Sequence, residues 1–133
     1  MYWVTHAATG AALGRYVQDP LAGLAAGLAS HAALDMLPHC DYKCTLTGLA
    51  DFGLGVLLLN ACGLWAPGSP EYWAILGATI PDLEVALSQF GIISKDSLLF
   101  PTHSGLLPHR DAPHLAGALI QAALILLSLY LLE

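Results

Sequence analysis

The sequence predicts an all-α fold, an integral membrane bundle of four to five short helices, on three observations: composition, the length of the apolar runs, and the placement of proline and glycine between them. Of 133 residues, 56% are hydrophobic and 11% charged, with a mean hydropathy of +0.64. An ordinary water-soluble domain carries roughly 25% charged residues. The apolar runs approach the ~20 residues that cross a hydrocarbon core. No Ser/Gly-rich linker, low-complexity tract or charge run interrupts them, so residues 1–133 are expected to form one membrane-embedded domain.

Taken in order, Thr5 to Val17 is a short Ala/Gly-rich helix, joined through Gln18-Asp19-Pro20 to a second from Leu21 to Leu37, which Pro38 ends. Leu46 to Trp65 is a third, with a single acid, Asp51, near its start. Tyr72 to Ile93 is a fourth, interrupted at Pro81-Asp82, where proline frees a carbonyl and kinks the backbone. Leu115 to Leu132, without charge or proline, is the clearest span. Glycines at positions such as 10, 14, 23, 27, 48, 53 and 55 would let helices approach closely in lipid.

If each segment crosses, the Asp19-Pro20 tip, the Pro67-Gly68-Ser69-Pro70 turn and the C-terminus share one side, and the N-terminus, the Pro38 to Thr45 loop and the Ser94 to Pro113 loop share the other. All six histidines then gather at this second, near side. At ~1.5 Å per residue, Asp51 lies roughly 8 Å inside its helix start and His31 roughly 9 Å above its helix end. Aromatic residues at both levels suit headgroup belts, and Lys43, Lys95 and Arg110 against Arg15 make the near side cytoplasmic by the positive-inside rule. Met1-Tyr2-Trp3-Val4 lacks the basic region that opens a signal peptide. A net charge of −6 with only four Lys and Arg argues against a nucleic-acid surface.

Ionisable groups in such a chain call for a function. His31 and Asp35, four residues apart on one helix face, are the leading metal ligands. Asp82 after the kink, and His6 and His103 in the matching strings Thr5-His6-Ala7 and Thr102-His103-Ser104, complete the expected set. Such ligands suit one or two divalent ions, zinc or manganese first, and the ion offsets the cost of burying acids. Asp51 and Glu84 are the candidate catalytic bases; Glu84, two residues from Asp82, points elsewhere and is a base or a supporting group. Leu37-Pro38-His39-Cys40-Asp41 and Leu107-Pro108-His109-Arg110-Asp111 share the string LPHxD, which leaves His39, Asp41 and His109 either a duplicated loop element or ordinary helix punctuation. His114 reads as a surface residue. Cys40, Cys44 and Cys62 form no CxxC pair and read as reduced packing residues, with a thiolate zinc site the lesser alternative.

The strings Ser30-His31-Ala32-Ala33-Leu34-Asp35-Met36-Leu37-Pro38-His39-Cys40-Asp41-Tyr42, Gly77-Ala78-Thr79-Ile80-Pro81-Asp82-Leu83-Glu84 and Thr102-His103-Ser104, with Thr5-His6, resemble the YdjM-like membrane-bound metal-dependent hydrolases, a family similar in motif style to zinc-dependent phospholipase C. The resemblance covers most of the chain. It implies a helical bundle in a bacterial or archaeal inner membrane, with ligands at His6, His31, Asp35, Asp82 and His103. Unlike the commoner members, SHxxxD comes first here and Leu98 stands where HRGxTHS opens with histidine. The expected activity is hydrolysis of a phosphoester, a phospholipid headgroup being the natural substrate at that depth, by a metal-activated water. Metal or proton transport and a non-enzymatic membrane scaffold are the alternatives.

Overall fold

The computed structural model describes residues 1–133. It contains five α-helices and no β-strand: α1 Trp3–Gly14, α2 Pro20–Asp35, α3 Thr45–Ala61, α4 Pro70–Gln89 and α5 His114–Leu132, with one 3₁₀ turn at Lys95–Ser97. Local chemistry explains the boundaries. Asp19 caps α2 by accepting from the Leu21 and Ala22 amides at 3.1 and 2.9 Å, and Ser69 caps α4 by accepting from Tyr72 at 3.1 Å. In both, proline stands at the first helical position, where its missing N–H costs nothing. Helices α3 and α4 close with left-handed Gly63 and Gly91, whose following residues bond back from Leu64 to Leu59 and from Ile92 to Leu87.

One expectation fails: α4 runs unbroken through Pro81. Losing one backbone bond and accommodating the ring costs about 3 kcal/mol, and burial of α4 against both α1 and α2 outweighs it. That contact is close. A Cβ on Gly27 would overlap the Ala74 carbonyl, and one on Gly77 would overlap the Leu24 carbonyl, so these two positions admit only glycine at the α2–α4 crossing.

Helix α1, short as it is, is the centre of the bundle: it touches α2, α3, α4 and α5, and most of its residues are buried. Helices α3 and α5 each pack chiefly on α1. A cleft therefore stays open between α3 and α4. Of the five helices, α5 alone is long and apolar enough to cross a membrane; α3 is apolar but has 17 residues, and α1 has 12. Only 31 of the 133 residues are buried, and the exposed surface of α3 and α5 is leucine-rich, with Leu46, Leu57, Leu115 and Leu126 all about two-thirds exposed or more.

Candidate metal centre

The five expected residues come together as two overlapping triads, His6, His31, Asp82 and His31, Asp35, His103, which share His31. α1 brings His6, α2 brings His31 and Asp35 a helical turn apart, α4 brings Asp82, and the turn after Phe100 brings His103. Asp35 is at the centre: its Oδ1 lies 3.2 Å from His6 Nε2, and its Oδ2 lies 3.2 Å from His31 Nε2 and 3.3 Å from His103 Nε2. His31 Nε2 is 3.3 Å from His103 Nε2 and 3.9 Å from Asp82 Oδ1. Donors held at the ~2.0–2.1 Å of zinc sites stand about 3.3 Å apart around a tetrahedron. The observed separations are close to that edge.

Some of these atoms lack a hydrogen-bond partner. His6 is fully buried, yet neither of its ring nitrogens has a hydrogen-bond partner, and Asp35 Oδ1 and Asp82 Oδ2 are likewise orphaned. An unpaired buried polar group costs about 1–3 kcal/mol, which a cation held among these donors would offset. The clusters His6, His31, Asp82 and His31, Asp35, His103 are each able to hold a metal ion.

Surrounding groups set the orientation of the ligands. His31 Nδ1 donates to the Ala78 carbonyl at 2.7 Å, which turns its Nε2 lone pair toward the cluster. Thr102 Oγ1 donates to Asp35 Oδ2 at 2.8 Å. Glu84 accepts from the Leu99 and Phe100 amides at 2.8 and 2.9 Å and from His103 Nδ1 at 2.9 Å, fixing both the loop and the ring it carries. Of the two roles open to Glu84, base or supporting group, these contacts favour the supporting one, since both oxygens accept hydrogen bonds. Asp51 is corrected. It lies outside the cluster, its Oδ2 accepting from Tyr42 Oη at 2.6 Å and from the Val4 amide at 3.0 Å, so it braces the start of α1 against α3.

Thr102 and the Ala78 carbonyl were not legible as functional in the sequence, since a backbone acceptor carries no residue signature. Gln121 is similar: buried on α5, it accepts from the Tyr2 amide at 2.6 Å and donates to the Cys40 carbonyl at 2.9 Å, tying three segments together. Cys40 is buried, Cys44 and Cys62 are exposed, and none belongs to a candidate metal group. His114 heads α5 and is exposed.

The two LPHxD strings do come together. His39 and Asp111 pair as an isolated parallel bridge, with His39 N–H donating to the Arg110 carbonyl at 3.1 Å and Ala112 N–H to the His39 carbonyl at 2.7 Å. This sets His39 Nε2 2.8 Å from His109 Nε2, with Asp41 3.4 and 3.3 Å from the two rings. The Met1 ammonium lies 2.7 Å from Asp41 and 3.5 Å from Asp35. Asp41 raises the His109 pKa against an opposing effect of burial. At His103, burial pulls the pKa down, but Asp35 and Glu84 outweigh it and the net shift is upward.

A cavity of about 480 Å³ opens from this polar end along the cleft between α3 and α4. Met1, Asp41, Asp82, His103 and His109 line one part, and residues such as Leu49, Phe52, Leu76, Leu83 and Phe90 line the rest. Comparisons with protein-family models, with curated proteins and with solved structures find no match to this chain.

Proposed function

We propose that this protein is a membrane-embedded metal-dependent hydrolase acting on a phosphoester that carries an apolar chain, a lipid headgroup being the fitting case. One observation carries the reading: buried nitrogen and oxygen donors from three helices and a loop, spaced for a cation and several of them lacking hydrogen-bond partners, stand at the polar head of an otherwise apolar cleft. Ligand sites of this build, apolar with a few convergent polar groups, orient amphipathic substrates. The leucine-rich surface of α3 and α5 and the length of α5 support placement in a bilayer. Kinship with the YdjM-like hydrolases belongs to the same proposal and rests on the shared SHxxLDxLPHxDY, PDLE and THS strings.

In this reading His6, His31, Asp35, Asp82 and His103 hold zinc or manganese. When bound, the ion supplies a Lewis acid for a phosphoryl oxygen and lowers the pKa of water. The chain's own groups do the rest. Asp82 borders the cleft, and its buried Oδ2, without a hydrogen-bond partner, suits a ligand to the ion. Glu84 holds His103 in the ligating tautomer by accepting its Nδ1 proton. Leu76, Leu83 and Phe52 receive the apolar part of the substrate and keep water from it. Transport would need ionisable groups to continue toward the far end. There α1 and α2 bury only glycine and alanine beyond His6 and Ser30.

The test is hydrolysis of phosphomonoesters and phosphodiesters, including phospholipids in mixed micelles, by zinc- or manganese-loaded protein and by its EDTA-treated form. Metal-dependent turnover that His31→Ala and His103→Gln each reduce by about 10³-fold or more is expected. Equal rates in wild type and both variants, or no turnover of any phosphoester by metal-replete protein, would overturn the proposal.

A further inference from the structure

We infer that the paired LPHxD loops build a second divalent-cation site, formed by His39, His109 and Asp41 and sharing Asp35 with the first. The geometry has three independent parts. His39 Nδ1 donates to the Leu37 carbonyl at 2.8 Å, so its Nε2 carries the lone pair and accepts from His109 Nε2 at 2.8 Å; an ion between the rings would take the place of that shared proton. Asp41 stands 3.4 Å from the first nitrogen and 3.3 Å from the second, near the ~3.3 Å edge of a tetrahedral site. Asp35, with 1% side-chain exposure, brings a carboxylate oxygen within 4.8 Å of the same two rings, and the Met1 ammonium, 3.5 Å from Asp35 Oδ1 and 2.7 Å from Asp41 Oδ1, is the positive charge now between these acids. Asp35, His39 and His109 form one group able to hold a metal ion, Asp41 groups with His109 and Asp111, and two imidazoles with carboxylate suit zinc or manganese.

Backbone contacts hold the two loops together. The bridge between His39 and Asp111 locks the loops in register, Arg110 N–H reaches the Asp35 carbonyl at 3.4 Å, and Gln121 holds Cys40 from α5. A Cβ on Gly117 would overlap the His39-Cys40 backbone, so that glycine lets the loop seat on α5. The repeat in the sequence thus becomes a pair in space: each string gives one histidine to one point. Asp41 and His109 also border the cleft, which puts the second ion beside the same substrate. The inference rests on the metal-centre reading above only through the shared Asp35.

The experiment is zinc stoichiometry of the full chain in mild detergent, by titration calorimetry and elemental analysis after EDTA treatment. Wild type is expected to bind two equivalents. His109→Gln and Asp41→Asn should each bind one, and His103→Gln, which acts on the other cluster, should also bind one; His114→Gln should keep two. The His109 and Asp41 side chains are 28% and 46% exposed, so folding is expected to survive, checked by helical circular dichroism. One equivalent in wild type, lost in His103→Gln and kept in His109→Gln, would overturn the second site alone, leaving a protonated His109 shared by His39 and Asp41. Two equivalents retained in both His109→Gln and Asp41→Asn would overturn it as well. No zinc in wild type would remove both sites together.

Discussion

Asp35→Asn is the most telling substitution, because it changes one charge and almost no volume at the point where His6, His31 and His103 converge. The carboxylate lies within 3.3 Å of nitrogens of His6, His31 and His103 and accepts from Thr102 at 2.8 Å, with 1% of its side chain exposed. Removing one member of a buried charged set costs about 3–5 kcal/mol, which lowers zinc affinity by roughly two to three and a half orders of magnitude. The consequence appears as linked stability. At zinc a thousandfold above its dissociation constant, wild type gains about 4 kcal/mol; with affinity some 300-fold weaker, the same zinc stabilises the variant by about 0.8 kcal/mol. For 133 residues the difference corresponds to roughly 10 °C in melting temperature. The assay is thermal unfolding in detergent with zinc and with EDTA, scored as the difference between the two. A scaffold held by ion pairs predicts the opposite pattern: no zinc effect in wild type, and a variant destabilised in EDTA. An Asp35→Asn protein with the full zinc-dependent shift would refute the central role given to this carboxylate.

Other substitutions separate ligands from supports. Glu84→Gln should keep the zinc stoichiometry but weaken affinity by about 10–100-fold, the usual effect of losing a ligand's orienting partner; calorimetric titration measures it, and unchanged affinity would show that Glu84 does not orient His103. Asp51→Asn should lower stability by about 1–3 kcal/mol by weakening its bonds to Tyr42 and Val4, while turnover per folded molecule stays at the wild-type value; a large loss of turnover would restore Asp51 as a base. Zinc affinity should depend on pH in a fixed direction. His103 and His109 must both shed protons to ligate, and their pKa values are raised above the usual 6.5. Affinity is therefore full above those raised values and falls by about tenfold per pH unit per displaced proton below them. A titration series from pH 8 to pH 5.5 that shows flat affinity would contradict their role as ligands.

Much of the scaffold was legible in the sequence because local rules set it. Apolar runs and the proline-bearing turns between them place all five helices within a few residues of expectation. The residues of the buried cluster were legible for a related reason: a histidine or aspartate in an apolar helix has few uses, and the spacing of His31 and Asp35 puts both on one face. The errors fell where tertiary contact overrides local preference. Pro81 suggests a break, yet the packing of α4 against α1 and α2 keeps it helical. Asp51 and Glu84 are acids of the expected type near the expected depth, but which of them reaches the cluster depends on partners distant in sequence, Tyr42 for one and His103 for the other.

From sequence alone came the helical class, the number and limits of the helices, the apolar character of the surface and the residue types able to hold a cation, since each follows from side-chain chemistry and short-range geometry. Only the tertiary structure decided that α1 is central, that a cleft separates α3 from α4, that Glu84 supports while Asp82 borders the cleft, and that His39 meets His109. Those outcomes depend on close helix crossings at Gly27 and Gly77 and on a loop-to-loop bridge joining residues about seventy positions apart. No local pattern encodes such distances; they arise when whole helices pack.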